Sequence, residues 1–207
     1  MRILVTGFGK FPGVAVNTSE LVVSRFAADA PGWPFDAMRF EVLPTRYEAA
    51  EVLVRELMGE FKPDRVLLLG VADTPSTARL ERFALNIDDG AFPDEAGVLR
   101  KGAPILAGGP AAFATAVDLQ RLLADLLEAG VSAEISNHAG SYVCNHVYYT
   151  ALSEAVAAGA GPVLFMHVPR VREDDPAGSA LVAEVARACG IVARALARPQ
   201  IHMKEAT

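Results

Sequence analysis

The sequence predicts one α/β domain over residues 1–207: a three-layer sandwich whose central, largely parallel mixed sheet is flanked by helices. Three observations predict it. Short apolar runs alternate with amphipathic stretches along the chain, the rhythm of strand–helix–strand units. Two runs, Val66 to Gly70 and Val163 to His167, are apolar on nearly every residue, as strands covered on both faces must be. A composition 52% hydrophobic and 21% charged over 207 residues is that of a packed chain able to bury a substantial core. No repeat, low-complexity tract or linker divides it.

The elements follow in order. Ile3 to Thr6 reads as a first strand, and Ser19 to Ala28 as a helix behind an Asn17-Thr18-Ser19 cap cluster. Phe40 to Leu43 forms a second strand and Tyr47 to Glu60 a second helix, ending before Lys62-Pro63. Val66 to Gly70 belongs mid-sheet. From Val71 to Gly109 the pattern turns irregular and rich in Gly, Pro and Asp, which predicts a functional excursion with its own hairpins. A helix over Val117 to Ala129 stops at Gly130, a short strand covers Ala133 to Ser136, and a helix over Tyr142 to Ala158 stops at Gly159. Val163 to His167 is the last strand and Ser179 to Leu196 the closing helix.

Composition excludes several function classes. A net charge of −6 with no run of Lys and Arg offers nothing to a phosphate backbone, so nucleic acid is not an expected partner. The opening MRILVTGFG is too short an apolar stretch for a signal-peptide core or a membrane span, so the protein is expected to stay in the cytoplasm where it is made. The two cysteines are then free thiols in a reducing compartment. Cys189 falls on the apolar stripe Val182, Val185, Cys189, Val192 of the closing helix and reads as a small core residue.

Cys144 is different. It stands just inside a helix start, after an Ala-Gly-Ser turn, where the helix dipole and unpaired N–H groups favour a thiolate. A packed first-turn cysteine has the same sequence pattern, so both readings stand on spacing alone. A reactive thiol needs a base, and four histidines are available. His146 lies two residues on, its side chain roughly 200° around the helix from Cys144. His202 falls in a polar terminal tail. His138 precedes the turn and is kept in reserve. His167 ends an apolar strand, and the carboxyl ends of strands are where α/β proteins gather reacting groups. Pro169 closes off a continuing helix there. A satisfied structural histidine remains the alternative. For the carboxylate that orients such a base the excursion offers Glu81, whose alternative is a surface charge paired with Arg79 or Arg82.

These residues sit in blocks with a familiar order. ILVTGFGKFPG with VNTS, LERFALNIDDGAFPD, GGPAA, AGSYVCNHVYY and LFMHVP together resemble the pyroglutamyl peptidase type I family, also called pyrrolidone-carboxylate peptidases, from Ile3 through His167. The resemblance implies Cys144, His167 and Glu81 as a catalytic triad, and a substrate pocket formed by Phe8, Phe11, Thr45, Val71, Phe92, Tyr142 and Val143. It implies hydrolysis of the amide after an N-terminal pyroglutamyl residue through a thioester, with no metal or organic cofactor. It also implies a homo-oligomer, a tetramer in many members.

Four departures touch the expected pocket rim. Ala91 replaces the arginine usual before the Ile-Pro-Asp turn; GVADTPSTAR lacks the Gln usual after Gly70 and carries Pro75 where a basic residue is common; VNTS replaces Asn-Pro-Ser; and Arg170 follows His167-Val-Pro. They predict reduced activity or an altered leaving-group preference, and they leave room for a non-catalytic pyroglutamate-binding relative. Arg79, close to Glu81 in sequence, is the candidate substitute for the missing guanidinium. A rival from another class is a dinucleotide-binding protein, since VTGFGKFPG joins a strand to a helix. Its third glycine comes one residue late, at Gly13 after Pro12, and the second strand lacks a clear acidic end.

Overall fold

The computed structural model describes residues 1–11, 13–14, 16–72, 77–171 and 178–198. Pro12, Pro75 and His202 lie outside the described residues. The chain runs β1 (Arg2–Phe8), α1 (Thr18–Ala28), β2 (Ala37–Leu43), α2 (Tyr47–Phe61), β3 (Arg65–Ala72), β4 (Ala78–Leu85), β5 (Ala112–Ala114), α3 (Leu119–Glu128), β6 (Ala133–His138), α4 (Val143–Ala158), β7 (Val163–Pro169) and α5 (Gly178–Ala197). The strands form one seven-stranded sheet in the order β2-β1-β3-β7-β4-β5, with β6 along β4. β2, β1, β3 and β7 are parallel to one another; β4 is antiparallel to β7 and β5 and parallel to β6.

The two consecutive apolar runs became β3 and β7, neighbours at the centre of the sheet. Their alternate residues feed two cores. Leu67, Leu69, Leu164 and Met166 face α1, α3 and α5; Val66, Leu68, Val163 and Phe165 face α2 and α4. Each fully buried Leu or Phe contributes about 1.5–3 kcal/mol, and a polar residue in either strand has to find a buried partner, as His167 of β7 does in Glu81. Helix starts follow the sequence cues: Asn17 caps α1 by accepting from Ser19 N–H at 3.1 Å, and Asp118 caps α3 through Arg121 N–H at 3.0 Å.

The expected irregular excursion from Val71 to Gly109 needs correction. Ala78–Leu85 is a full strand of the main sheet, followed by loops that meet in a short bridge between Asp88 and Ala103. Local composition hid β4 because Arg79, Glu81 and Arg82 break an apolar pattern, whereas Glu81 is only 1% exposed and is compensated by a partner from β7.

Candidate active site

α4 carries Cys144 one residue inside its first turn, with Tyr142 as N-cap residue. No side chain caps this helix start. Its opening N–H groups, which have no acceptor within the helix, therefore keep their capacity to bind an oxyanion. Cys144 is partly exposed, so the thiol is not sealed in the core.

β7 brings His167 to the same face. In the antiparallel pairing of β4 with β7, His167 stands opposite Arg79 and Phe165 opposite Glu81, so Glu81 and His167 are diagonal cross-strand neighbours. His167 Nδ1 meets Glu81 Oε1 at 2.7 Å. The imidazole also packs on the Phe165 ring, centroids 4.7 Å apart, which limits its swing. With Nδ1 held, Nε2 is the nitrogen left to serve Cys144. Burial alone would push His167 down. Hydrogen bonding to Cys144 and Glu81, and their negative charge, outweigh it and raise His167 from 6.5 to about 9.

Gly70 closes the arrangement from β3, in register with His167. A β-carbon placed on it would lie 3.1 Å from the Cys144 sulfur and 2.7 Å from the Phe165 ring. Only glycine leaves room for the thiol over the end of β3.

The expected pocket residues divide. Phe92 and Tyr142 meet with ring centroids 4.9 Å apart, and Tyr142 Oη donates to the Pro93 carbonyl at 3.1 Å. Burial, then the charges of Asp94, Cys144 and Glu95, push this phenol up to about 12, so it stays a neutral donor. Thr45 Oγ1 donates to the Gly9 carbonyl at 3.1 Å and its own carbonyl accepts from Glu95 N–H at 3.1 Å, joining three loops. Phe11 is partly exposed in the first of them. Phe8 and Val143 are buried with the α2/α4 core, at 2% and 0% exposure. Val71 is partly buried and packs against the core on the opposite side of the sheet from Phe8 and Val143.

The other candidates are occupied elsewhere. His138 is exposed and its Nδ1 accepts from Gly140 N–H at 3.1 Å. His146 is fully buried, with Nδ1 2.9 Å from Asp88 Oδ2 and Nε2 3.2 Å from Glu51 Oε2. Arg79 sits in register beside His167, yet its Nε donates to Glu134 Oε1 on β6 at 2.6 Å. Ala91 is exposed, and Arg170 donates to the Gly13 carbonyl of the first loop. Cys189 is fully buried, and burial pushes its thiol up to about 12. Among the described residues no cluster of His, Cys, Asp or Glu is arranged to hold a metal, and no helix is long and apolar enough to cross a membrane. A separate recess of about 520 Å³ between α2 and residues 94–100 contains none of the reacting groups.

Sequence reading missed Asn145 and Tyr148. The only signal was the placement of polar side chains on a helix otherwise apolar all round, which buried groups without partners would not survive.

A thiol at a helix start, an imidazole at a strand end and a carboxylate on the adjoining strand compose a site of the cysteine hydrolase class on an α/β sandwich. Comparison with known proteins narrows the class: the pyroglutamyl peptidase family model matches residues 1–181. The chain is 37% identical over 177 residues to the pyrrolidone-carboxylate peptidase of Gloeobacter violaceus, covering 84% of this chain and 83% of that one. It is 35% identical over 176 residues to the enzyme of the same name from Pyrococcus furiosus, with 84% and 83% covered. The crystal structure of Bacillus amyloliquefaciens pyroglutamyl peptidase I superposes with a TM-score of 0.84 at 30% identity, covering 95% of this chain and 97% of that one. The chain belongs to the pyroglutamyl peptidase family and is a cysteine peptidase. The dinucleotide-binding alternative has no support from these similarities.

Proposed function

We propose that Cys144, His167 and Glu81 form the catalytic triad of a single-domain exopeptidase that removes an N-terminal pyroglutamyl residue. The observation that carries this reading is the 2.7 Å contact of Glu81 with His167 Nδ1, combined with the interaction of the same ring with Cys144. In the free enzyme the imidazolium faces the sulfur. The sulfur attacks the carbonyl that joins pyroglutamate to the next residue, and the N–H groups at the start of α4, that of Cys144 included, receive the oxyanion. Each such donor lowers the barrier by about 2.7–4 kcal/mol in other acyl-transfer sites. His167 gives its proton to the departing amine, leaving a thioester. It then takes a proton from water, which attacks the thioester and releases pyroglutamic acid with Cys144 and His167 restored.

Pyroglutamate is an uncharged lactam, so recognition calls for flat apolar walls with one donor and one acceptor. Phe11, Phe92 and Tyr142 supply exposed or half-exposed walls, Thr45 fixes the loops between them, Phe8 and Val143 back the pocket from the core, and the Val71 main chain offers polar groups. A free N-terminal ammonium is rejected because such walls leave its charge unpaired. The proposal extends to a cytoplasmic homotetramer, for which the family resemblance is the support.

The test is release of a fluorophore from a pyroglutamyl amide, against prolyl and alanyl amides, with and without iodoacetamide. Cleavage of the pyroglutamyl amide alone, abolished by iodoacetamide and by Cys144→Ala or Cys144→Ser, is the expected result. Retained turnover in either variant refutes the assignment. Because the thiol of Cys189 is buried and pushed up to about 12, alkylation of the folded protein reports on Cys144.

A further inference from the structure

We propose that Asn145 is a positioning residue for the reaction: its side-chain amide joins the nucleophile's helix to the hydrogen-bond ladder of β4, and so fixes Cys144 against the imidazole that Glu81 holds. This inference rests on the triad reading given above.

Asn145 is completely buried, a location where an amide is tolerated only if its hydrogen-bonding groups are satisfied. Its Oδ1 accepts from Leu85 N–H at 2.8 Å, and its Nδ2 donates to the carbonyls of Leu85 at 2.8 Å and Ile87 at 3.0 Å. The location on β4 matters. β6 pairs with β4 as far as Phe83, opposite His138, and then ends. On the other side, β5 is engaged through Arg82 and Asn86, which bond to Thr115 and Ala111. Backbone groups alternate edges along a strand, so those of Leu85 and Ile87 face the edge that β6 has vacated. There the amide of Asn145 engages both N–H and C=O of Leu85, as a peptide unit of a neighbouring strand would. The helix that carries Cys144 thereby takes the next place in the sheet.

A second tie lies one turn further along α4. Tyr148, also completely buried, donates its hydroxyl to the main-chain carbonyl of Glu81 at 3.0 Å. The stretch from Glu81 to Ile87 is thus fastened to α4 at both ends. Glu81 is the residue whose carboxylate grips His167, so nucleophile and base are connected through the sheet by hydrogen bonds of defined length. None of these atoms reaches substrate. Their effect is on distance, and misplacing a reacting group by about 1 Å lowers the rate on the order of a hundredfold.

The experiment uses the full chain with Asn145→Ala and Tyr148→Phe. Three quantities are read below the melting temperature: kcat per alkylatable site, KM for a pyroglutamyl amide, and the rate at which iodoacetamide modifies Cys144 at fixed pH. Asn145→Ala is expected to lower kcat about 10- to 100-fold with KM within about threefold, and to slow alkylation in parallel. Tyr148→Phe, which removes one oxygen and keeps the ring's packing, is expected to lower kcat about three- to tenfold, and it decides between the outcomes if the alanine variant does not fold. Lower stability with kcat per site and alkylation within twofold of the unsubstituted protein would mean that the two residues only support the fold, and would overturn the proposal. The alkylation arm needs no substrate, so it reads positioning even if the unsubstituted protein fails to cleave pyroglutamyl amides, a failure that would count against the triad's assigned reaction instead.

Discussion

Glu81 and His167, 86 residues apart in the chain, are joined at 2.7 Å on neighbouring antiparallel strands, and both are almost wholly withdrawn from solvent. Glu81→Gln keeps the shape and removes the charge. It also allows the amide to present a donor to Nδ1, which favours the wrong tautomer. The expected outcome is a kcat loss of about 10²- to 10⁴-fold with KM little changed, measured by steady-state hydrolysis of a pyroglutamyl amide.

The raised His167 value sets a pH signature. Its proton is held more tightly in the folded protein than in the unfolded chain. The resulting stability is therefore present in full below about pH 6.5 and is lost as pH rises through about 9. Urea unfolding between pH 6 and 10 should show that decline. Cys144→Ala removes the hydrogen bond and charge that the sulfur contributes, so His167 should titrate lower in the variant and the decline should shift to lower pH. The basic limb of kcat/KM in the unsubstituted enzyme should fall near pH 9.

Gly70→Ala tests the packing around the thiol. The added carbon meets both the sulfur and the fully buried Phe165 ring, and the ring has no solvent to retreat into. Destabilisation by about 1–3 kcal/mol is expected from overpacking, together with at least a tenfold loss of kcat. Thermal melts and kinetics on the same preparation measure both, and an unchanged kcat would show that the sulfur has another productive position.

Arg79→Ala tests whether that guanidinium stands in for the arginine missing at Ala91. The side chain is 38% exposed and paired with Glu134, an arrangement that contributes about 0–1 kcal/mol to stability. kcat/KM is expected to stay within about threefold of the unsubstituted value. A loss of a hundredfold would show that Arg79 leaves Glu134 to meet the substrate.

The legible parts of the protein were those that local pattern determines. VLLLG and VLFMHVP announced central strands because consecutive apolar residues require cover on both faces, and Asn17 announced the start of α1 by its capping chemistry. β4 was not legible. Its charged residues make sense only beside partners far away in sequence, Glu81 with His167 and Arg79 with Glu134. Spacing singled out Cys144 and His167 but left each with a plain structural alternative, and family resemblance joined them to Glu81. Val71 shows where resemblance transfers a position without a direction: its side chain turns to the opposite core. Asn145 and Tyr148 escaped notice because a buried polar side chain looks out of place until its acceptors, about 60 residues earlier, are in view.

The reacting groups come from one helix and two strands, and no two of them are near in sequence. If the proposed triad is the reacting set, a chain in which β7 has not paired with β4 has a cysteine without its base. On the triad reading, peptidase activity therefore requires α4, β4 and β7 to be assembled together, and its appearance reports a completed sheet.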